Sequence, residues 1–363
     1  MSSVHRKMNP ITRLKQVAFQ QRKLEGFLVF NSTNLLYFTH IPGTSALLVP
    51  KDGENTIYVY GVNYEQAKTE GKDFGVELVR RDEKLMEKIA AQAQEYKIRN
   101  LAIDTTTIEG WRSLAKSARG KMKLKTEGNL VDSLRAVKDE SEIELLRKAA
   151  DLTSAGMKTA YEVLSPGMKE YEVAAEIEYA MRKRGSNGTA FETAVSSGPN
   201  SAFPHGGCSD RIIREGDLVV FDFGAVFKYY RGDMTRTLVA GKPSEKQKRL
   251  HAVVDEAQQE AFKAIRPNAK AKDVDGAGRR LIETAGYGAY FVHGLGHGVG
   301  LDVHESPTLN PNSKEKLVAG NIVTDEPGIY LPGYGGVRIE DTVLVSRDGG
   351  ERLTKGPSGL GSE

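Results

Sequence analysis

One pattern of residues occurs twice in this chain. Ala160-Tyr161, Leu164, Pro166, Lys169, Val173 and Gly185 recur as Ala261-Phe262, Ile265, Pro267, Lys270, Val274 and Gly286, each pair 101 positions apart. Each copy reads as a helix, a proline break, a second helix, a glycine stop and then a strand. Proline cannot continue a helix, and glycine ends one at little steric cost. Two copies are too few for a solenoid, whose units need at least three to bury a common core. They suit one domain built about a pseudo-twofold axis, with a site between its halves.

The repeat occupies only the later part of the chain. At 363 residues there is room for about two domains of ~150 residues. Ahead of the repeat, apolar runs at 27–30, 46–49, 56–60 and 101–104 read as strands, and 9–25, 63–71 and 83–96 as helices. That alternation predicts an α/β layer. From Lys138 the texture changes. Helices are expected at 139–164, capped by Asp139 or Ser141, and at 167–185, 244–265 and 271–286, with strands at 191–196, 217–224 and 235–240. The boundary falls near 125–136, giving domains 1–130 and 131–363.

Composition excludes several function classes. Lys+Arg is 51 against 48 Asp+Glu, a net charge of +3 spread along the chain, so nucleic acid is not an expected partner. Cys208 is the only cysteine, which excludes an internal disulfide framework and a cysteine-ligated zinc ribbon. No run approaches the ~18 apolar residues of a membrane span. Residues 1–21 are polar and basic, without an apolar signal core or small-residue cleavage site. A cytoplasmic protein is expected.

Chemistry shows first as acids in apolar strands. Val219-Val220-Phe221-Asp222-Phe223-Gly224 sets Asp222 among residues that want burial. A buried lone carboxylate is costly without a partner or a cation. Asp233 follows in Arg231-Gly232-Asp233-Met234-Thr235, and the turn between them reads as a hairpin that returns the two carboxylates side by side. Such a pair repels unless a proton or cation lies between.

The second signal is Phe291-Val292-His293-Gly294-Leu295-Gly296-His297-Gly298-Val299-Gly300, followed by His304-Glu305. The alternating glycines let backbone come close to His297. This is neither a helical HExxH site nor a dinucleotide fingerprint. The run is too glycine-rich for a helix, and no helix follows. A third signal joins Asp325-Glu326-Pro327-Gly328-Ile329-Tyr330 to Val337-Arg338-Ile339-Glu340-Asp341. Taken singly, each residue has a bland reading: a paired Asp222, a structural His297, solvated Asp325 and Asp341, an incidental Cys208 thiol. Four carboxylates and one imidazole in glycine-framed strands are harder to explain as packing. They are hard donors whose four negative charges would balance two divalent cations, with manganese, cobalt or iron favoured and zinc allowed. Two such ions can share one water and clamp a hydrolytic transition state.

These strings resemble the pita-bread metallopeptidases, the superfamily of methionine aminopeptidase, aminopeptidase P, prolidase and creatinase. The order Asp222, Asp233, His297, Glu326, Glu340 looks like that family's dinuclear metal set. Arg135, Lys138 and Glu142-Ile143 resemble the entry to its catalytic domain, and Asn34-Leu35-Leu36-Tyr37-Phe38-Thr39 resembles the N-domain signature of its prolyl peptidases. The resemblance implies an α/β (α+β) chain: a pita-bread catalytic domain of pseudo-twofold αβ repeats after a smaller creatinase-like α/β domain. It implies that Asp222, Asp233, His297, Glu326 and Glu340 hold two divalent metal ions and that a bridging hydroxide attacks the scissile carbonyl. Glu326 would move the proton to the leaving nitrogen. His205 and His304 would stabilise the oxyanion or shuttle protons. His293 would line the substrate subsite, with Tyr330 and Arg338 beside it and orienting the ligands.

An N-terminal domain argues against methionine aminopeptidase, and five intact ligands argue against creatinase and the non-catalytic scaffolds. What is left is an Xaa-Pro peptidase acting on small proline-containing peptides, of aminopeptidase P or prolidase type, and the family resemblance implies a homodimer. Proline's imide nitrogen has no N–H and its φ is fixed, so a site shaped for the ring is required. Some prolidases carry an Arg just after the His-Glu-x-Pro string to hold a dipeptide's carboxylate. Thr308 stands there in this chain. The alternatives are a non-proteolytic binding or scaffold protein on the same fold, and a hydrolase of another small C–N substrate.

Overall fold

The computed structural model describes residues 8–118 and 120–361. Residues 1–7 of the basic leading segment lie outside that range. The chain divides into two units, Met1–Arg135 and Ala136–Glu363.

The first unit is built on a six-stranded mixed sheet in the order Gly75–Val79, Thr56–Tyr60, Ala46–Pro50, Gly26–Val29, Asn100–Ile103, Lys123–Thr126. The strands expected at 46–49 and 56–60 pair antiparallel, with Leu47 opposite Ile57. Its apolar strands are buried, whereas the outer strand reads Lys-Leu-Lys-Thr and is largely exposed. Edge lysines discourage pairing with another chain, and they also hide the strand from a search for apolar runs. The helix expected over 9–25 is shorter. An α-helix at Pro10–Lys15 continues as a π-helical turn at Gln16–Gln21. Asp104, buried at the end of a central strand, accepts bonds from the backbone N–H groups of Phe30 (2.8 Å), Asn31 (3.2 Å) and Thr105 (2.6 Å) and from Asn34 Nδ2 (3.0 Å). These bonds fix the start of the helix Ser32–Thr39.

In the second unit the repeat becomes structure. Helices Glu140–Val163 and Glu170–Lys183 form the first pair, and Glu245–Ala264 and Ala271–Thr284 the second. Asp139 caps the first helix in a capping box with Glu142. Ser244 does the same for the third with Gln247. Each pair ends at a glycine of positive φ, Gly185 at +106° and Gly286 at +85°, as the sequence predicts.

The strands repeat as well. Ala194–Ser197, Leu218–Phe223 and Met234–Val239 form an antiparallel sheet in chain order. Gly296–Gly298, Ile322–Asp325 and Asp341–Val345 are neighbours in the same order within a five-stranded sheet. One apolar cluster, centred on Val219, Phe221 and Phe223, packs under the first half. Another, centred on Val254, Val323 and Val343, packs under the second. Across the join, Glu340 N donates to Thr235 O at 3.0 Å, and Thr237 Oγ1 bonds Arg338 O at 3.0 Å. The halves thus meet where the acids lie.

Candidate active site

Asp222 sits in the strand Leu218–Phe223, opposite Thr235 of the returning strand. The turn between them is a small hairpin, Ala225–Phe227 against Tyr230–Arg231. Asp233, buried, precedes the first residue of the returning strand and comes back beside Asp222 as the sequence predicts. The second half supplies the other donors. His297 is the middle residue of the strand Gly296–Gly298. A Cβ on Gly296 would lie 2.2 Å from Thr324 O, and one on Gly298 2.3 Å from Ser306 O, so the strands on either side exclude any side chain there. Glu326 and Glu340 flank a paired stretch in which Asp325 faces Asp341.

Ligand atoms of Asp233, His297 and Glu340 lie within 4.8 Å of one another. His297 Nε2 is 3.3 Å from Glu326 Oε1 and 3.8 Å from Asp233 Oδ2. Asp222 Oδ2 accepts a close bond from Arg338. Glu340 Oε2 accepts from Thr235 Oγ1 at 2.6 Å, while its buried Oε1 has no hydrogen-bond partner among the described residues. All five residues line one cavity of about 600 Å³.

Burial pushes Asp233 well above the usual carboxylate range, reinforced by Glu340, Asp222 and Glu326. Burial does the same to Glu340, with Glu326 and Asp222 adding to it. Asp222 is also raised by burial, against the pull of Arg338. Glu326 goes the other way. Burial would raise it, but the His297 bond and charge outweigh that and hold it at about 2. Burial alone would lower His297, and Glu326 and Glu340 push it up to about 9. Four carboxyl groups, Asp233 and Glu340 buried and Asp222 and Glu326 half-buried, thus share one imidazolium and one guanidinium. A divalent cation would relieve that repulsion and engage the orphaned Glu340 oxygen, so the donor set fits hard metal ions.

His205, His293, His304 and Arg338 line the same cavity. The His304 and His297 rings meet edge to face at 4.3 Å between centroids. His304 sits below its ordinary value through burial and the neighbouring His297. Burial lowers His293 too, and its Nε2 lies 2.9 Å from the Tyr330 hydroxyl. Tyr330 is placed behind the wall. It is 4% exposed, and its hydroxyl also accepts from Arg338 at 2.9 Å. It positions His293 and Arg338.

Other residues carried no signal in the sequence. Thr235 accepts from Arg338 Nε at 3.1 Å and so links that guanidinium to Glu340. Thr324 Oγ1 bonds both the His297 N–H (3.0 Å) and Glu326 Oε1 (3.1 Å). Phe191 and Glu192, expected within a strand, line the cavity instead, and the strand begins at Ala194. A carboxylate spacing can be read from sequence, but a threonine reaching back from the next strand cannot. Cys208 is no nucleophile: it donates to Thr193 O at 3.1 Å, and burial pushes its thiol up.

Comparison with known proteins settles the family. The model of metallopeptidase family M24 matches residues 144–347, and that of the creatinase/prolidase N-terminal domain matches 11–137. The chain belongs to metallopeptidase family M24. It is 38% identical to the Xaa-Pro dipeptidase of Pyrococcus furiosus over 92% of this chain and 94% of that protein. The solved Xaa-Pro dipeptidase from Bacillus anthracis superposes with a TM-score of 0.91 at 35% identity, covering 97% of this chain and 98% of that one. The X-Pro aminopeptidase from Thermotoga maritima superposes at 0.86 with 34% identity, covering 93% and 97%. The M24 fold and the preceding creatinase-like domain are those expected from the resemblance. No helix among the described residues is long and apolar enough to cross a membrane.

Proposed function

We propose that this M24 metallopeptidase hydrolyses the bond between a first residue and a following proline, in dipeptides and at the start of longer peptides. The observation that carries this reading is the convergence of Asp233, His297 and Glu340 on one wall of a cavity that holds Glu326, His205 and His304 within the same volume. Asp222, Asp233, His297, Glu326 and Glu340 would hold two divalent ions, manganese by preference. Such ions, when bound, supply Lewis acidity and a water of lowered pKa.

The remaining work belongs to side chains. Glu326, 3.3 Å from His297 Nε2, is placed to take a proton and return it to the leaving imide nitrogen. His205 and His304 are the donors for the charge that builds on the carbonyl oxygen. Tyr330 holds His293 and Arg338 in place on the cavity wall. Glu192, exposed on the wall, offers its carboxylate to the substrate's free ammonium.

Acceptance of longer peptides follows from a census of cations. Among the described residues lining the cavity, Arg338 is the only Lys or Arg. Its guanidinium already bonds Asp222, Tyr330, Thr235 and Pro204 O. The wall at Thr308 and Asn310 carries no Lys or Arg among the described residues, so no fixed cation there demands a terminal carboxylate after proline. The test is hydrolysis of Gly-Pro and Gly-Pro-Gly by chelator-stripped enzyme reloaded with manganese. Cleavage of both is expected. Cleavage of neither by metal-bearing enzyme would overturn the reading. The same proposal makes the enzyme a homodimer, the commonest closed assembly, which sedimentation would measure.

A further inference from the structure

Glu170 is a carboxylate with no place in the chemistry above. It begins the helix Glu170–Lys183 and is 0% exposed. Both of its oxygens are saturated. Oε1 accepts from the N–H and hydroxyl of Ser197, each at 2.7 Å. Oε2 accepts from the N–H (2.8 Å) and hydroxyl (2.6 Å) of Ser209. One side chain therefore bonds to both ends of the segment 197–209.

That segment carries Pro204, His205, Gly206 and Gly207, all on the cavity wall. His205 itself lies in no helix or strand. Its loop also leans on Arg338, which donates to Pro204 O at 3.0 Å, and on Ser196 Oγ, which bonds Gly207 O at 3.2 Å. Arg211 touches the same two serines, its N–H donating to Ser209 Oγ at 3.2 Å and its Nη1 to Ser197 Oγ at 2.5 Å, so Glu170 and Arg211 together close the loop, with the Glu170 carboxylate taking two bonds from each end.

The repeat supplies an internal control. The residue 101 positions on is Ala271, which begins the matching helix and is likewise 0% exposed. Glu170 N donates to Arg211 O at 3.2 Å, and Ala271 N donates to Glu315 O at 3.0 Å. Each lies beside an equivalent bridge, Lys169 to Ile212 and Lys270 to Lys316. The second half builds the same helix start and the same backbone contact on a methyl group. A buried carboxylate is thus not needed for the architecture, and the four donors that offset its desolvation all belong to the two ends of the loop it clamps.

We infer that Glu170 is the positioning residue for His205: it acts on turnover by fixing the loop that presents that imidazole. This rests on the reading of His205 as an oxyanion or proton-transfer group.

The test is a double-mutant cycle on the full-length manganese enzyme with Gly-Pro-Gly: parent, Glu170→Gln, His205→Ala and the double variant, with metal content measured for each. Gln keeps the shape but turns an amide donor toward the donors of one serine. Glu170→Gln is expected to lower kcat about tenfold, as small misplacements of reacting groups do, with KM and metal content near the parent's. In the His205→Ala background the same change should alter kcat by less than about twofold. Ser209→Ala, which removes one hydroxyl, should show the same coupling on a smaller scale and carries the cycle should the Gln variant not fold. An equal loss in both backgrounds would overturn the inference, as would unchanged kcat in both Glu170→Gln and Ser209→Ala. A His205→Ala enzyme of normal kcat would overturn the reading of His205, and this inference with it. A slow His205→Ala enzyme without coupling would overturn this inference alone.

Discussion

His297 Nε2 lies 3.3 Å from Glu326 Oε1 and 3.8 Å from Asp233 Oδ2, so one imidazole faces two acids brought from opposite halves of the repeat. Asp233 comes from the first half, and His297 and Glu326 from the second. Neither half holds a complete site.

Asp233 therefore tests the site as a whole. Asp233→Asn keeps the side-chain shape and removes a negative charge from the group formed with His297 and Glu340. Changes beyond the ligands of a metal site already cost ~10–100-fold. Loss of a ligand should cost more, and hydrolysis of Gly-Pro-Gly is expected to fall by over ~100-fold, with less metal retained after dialysis. Near-parental turnover would eliminate the dinuclear reading.

Thr235 makes a subtler case. Its hydroxyl donates to Glu340 Oε2 at 2.6 Å and accepts from Arg338 Nε at 3.1 Å. Thr235→Val preserves the branched shape in a fully buried strand position and deletes both bonds. Glu340 would lose its orientation, and manganese affinity should weaken by about tenfold or more. Calorimetric titration of the stripped variant checks this, and unchanged affinity would show that Glu340 is held by its backbone alone.

The limits of reading the sequence follow from the same residues. The pseudo-twofold repeat was legible because proline and glycine punctuate both copies and the helices between them share a period. The five acid and imidazole positions were legible because charge inside an apolar strand is costly, so each occurrence asks for a reason. Thr235, Thr324 and Glu170 were not legible. Threonine is at home in any strand, and a glutamate at a helix start reads as ordinary dipole complementarity. Their roles depend on which strand or loop lies opposite, and only the fold decides that. The strand Lys123–Thr126 was missed for another reason, its exposed edge lysines.

Stability should depend on pH and metal together. Burial, with mutual repulsion, raises the folded-state values of Asp233 and Glu340 above those of the unfolded chain. A carboxyl raised in this way contributes stability that is present at low pH and lost as pH rises through its folded value. His297, pushed up to about 9 from an ordinary 6.5, keeps its proton while the unfolded chain loses it, so it too contributes stability that is lost as pH rises from about 6.5, whereas Glu326, held at about 2, is ionised in both states across about pH 5 to 8 and adds little slope there. Stripped enzyme is thus expected to lose thermal stability as pH climbs through that window. Bound cations need those carboxylates ionised, so the gain in Tm on adding manganese should grow over the same range. Scanning calorimetry with and without metal measures both trends, and a gain that shrinks with rising pH would contradict the assignment of these acids as ligands.

Thr308 offers a way to change which peptides are preferred. It lines the cavity, is exposed, and donates through its N–H (2.8 Å) and hydroxyl (3.3 Å) to Glu315 Oε2. No Lys or Arg lines the wall there among the described residues, and Glu315 stands behind it, so Gly-Pro gains nothing from its carboxylate that Gly-Pro-Gly lacks. Thr308→Arg would place a planar cation at this wall, and a guanidinium grips a carboxylate through two parallel bonds. Glu315 would hold one edge of the group and leave the other toward the cavity. The ratio of kcat/KM for Gly-Pro over Gly-Pro-Gly should rise by about tenfold, carried mainly by a lower KM for the dipeptide, because binding is added equally to ground and transition states. The amide Gly-Pro-NH2, which has no carboxylate, should show no such gain. An equal gain for the amide would mean that Arg acts by closing the cavity and not by pairing with charge.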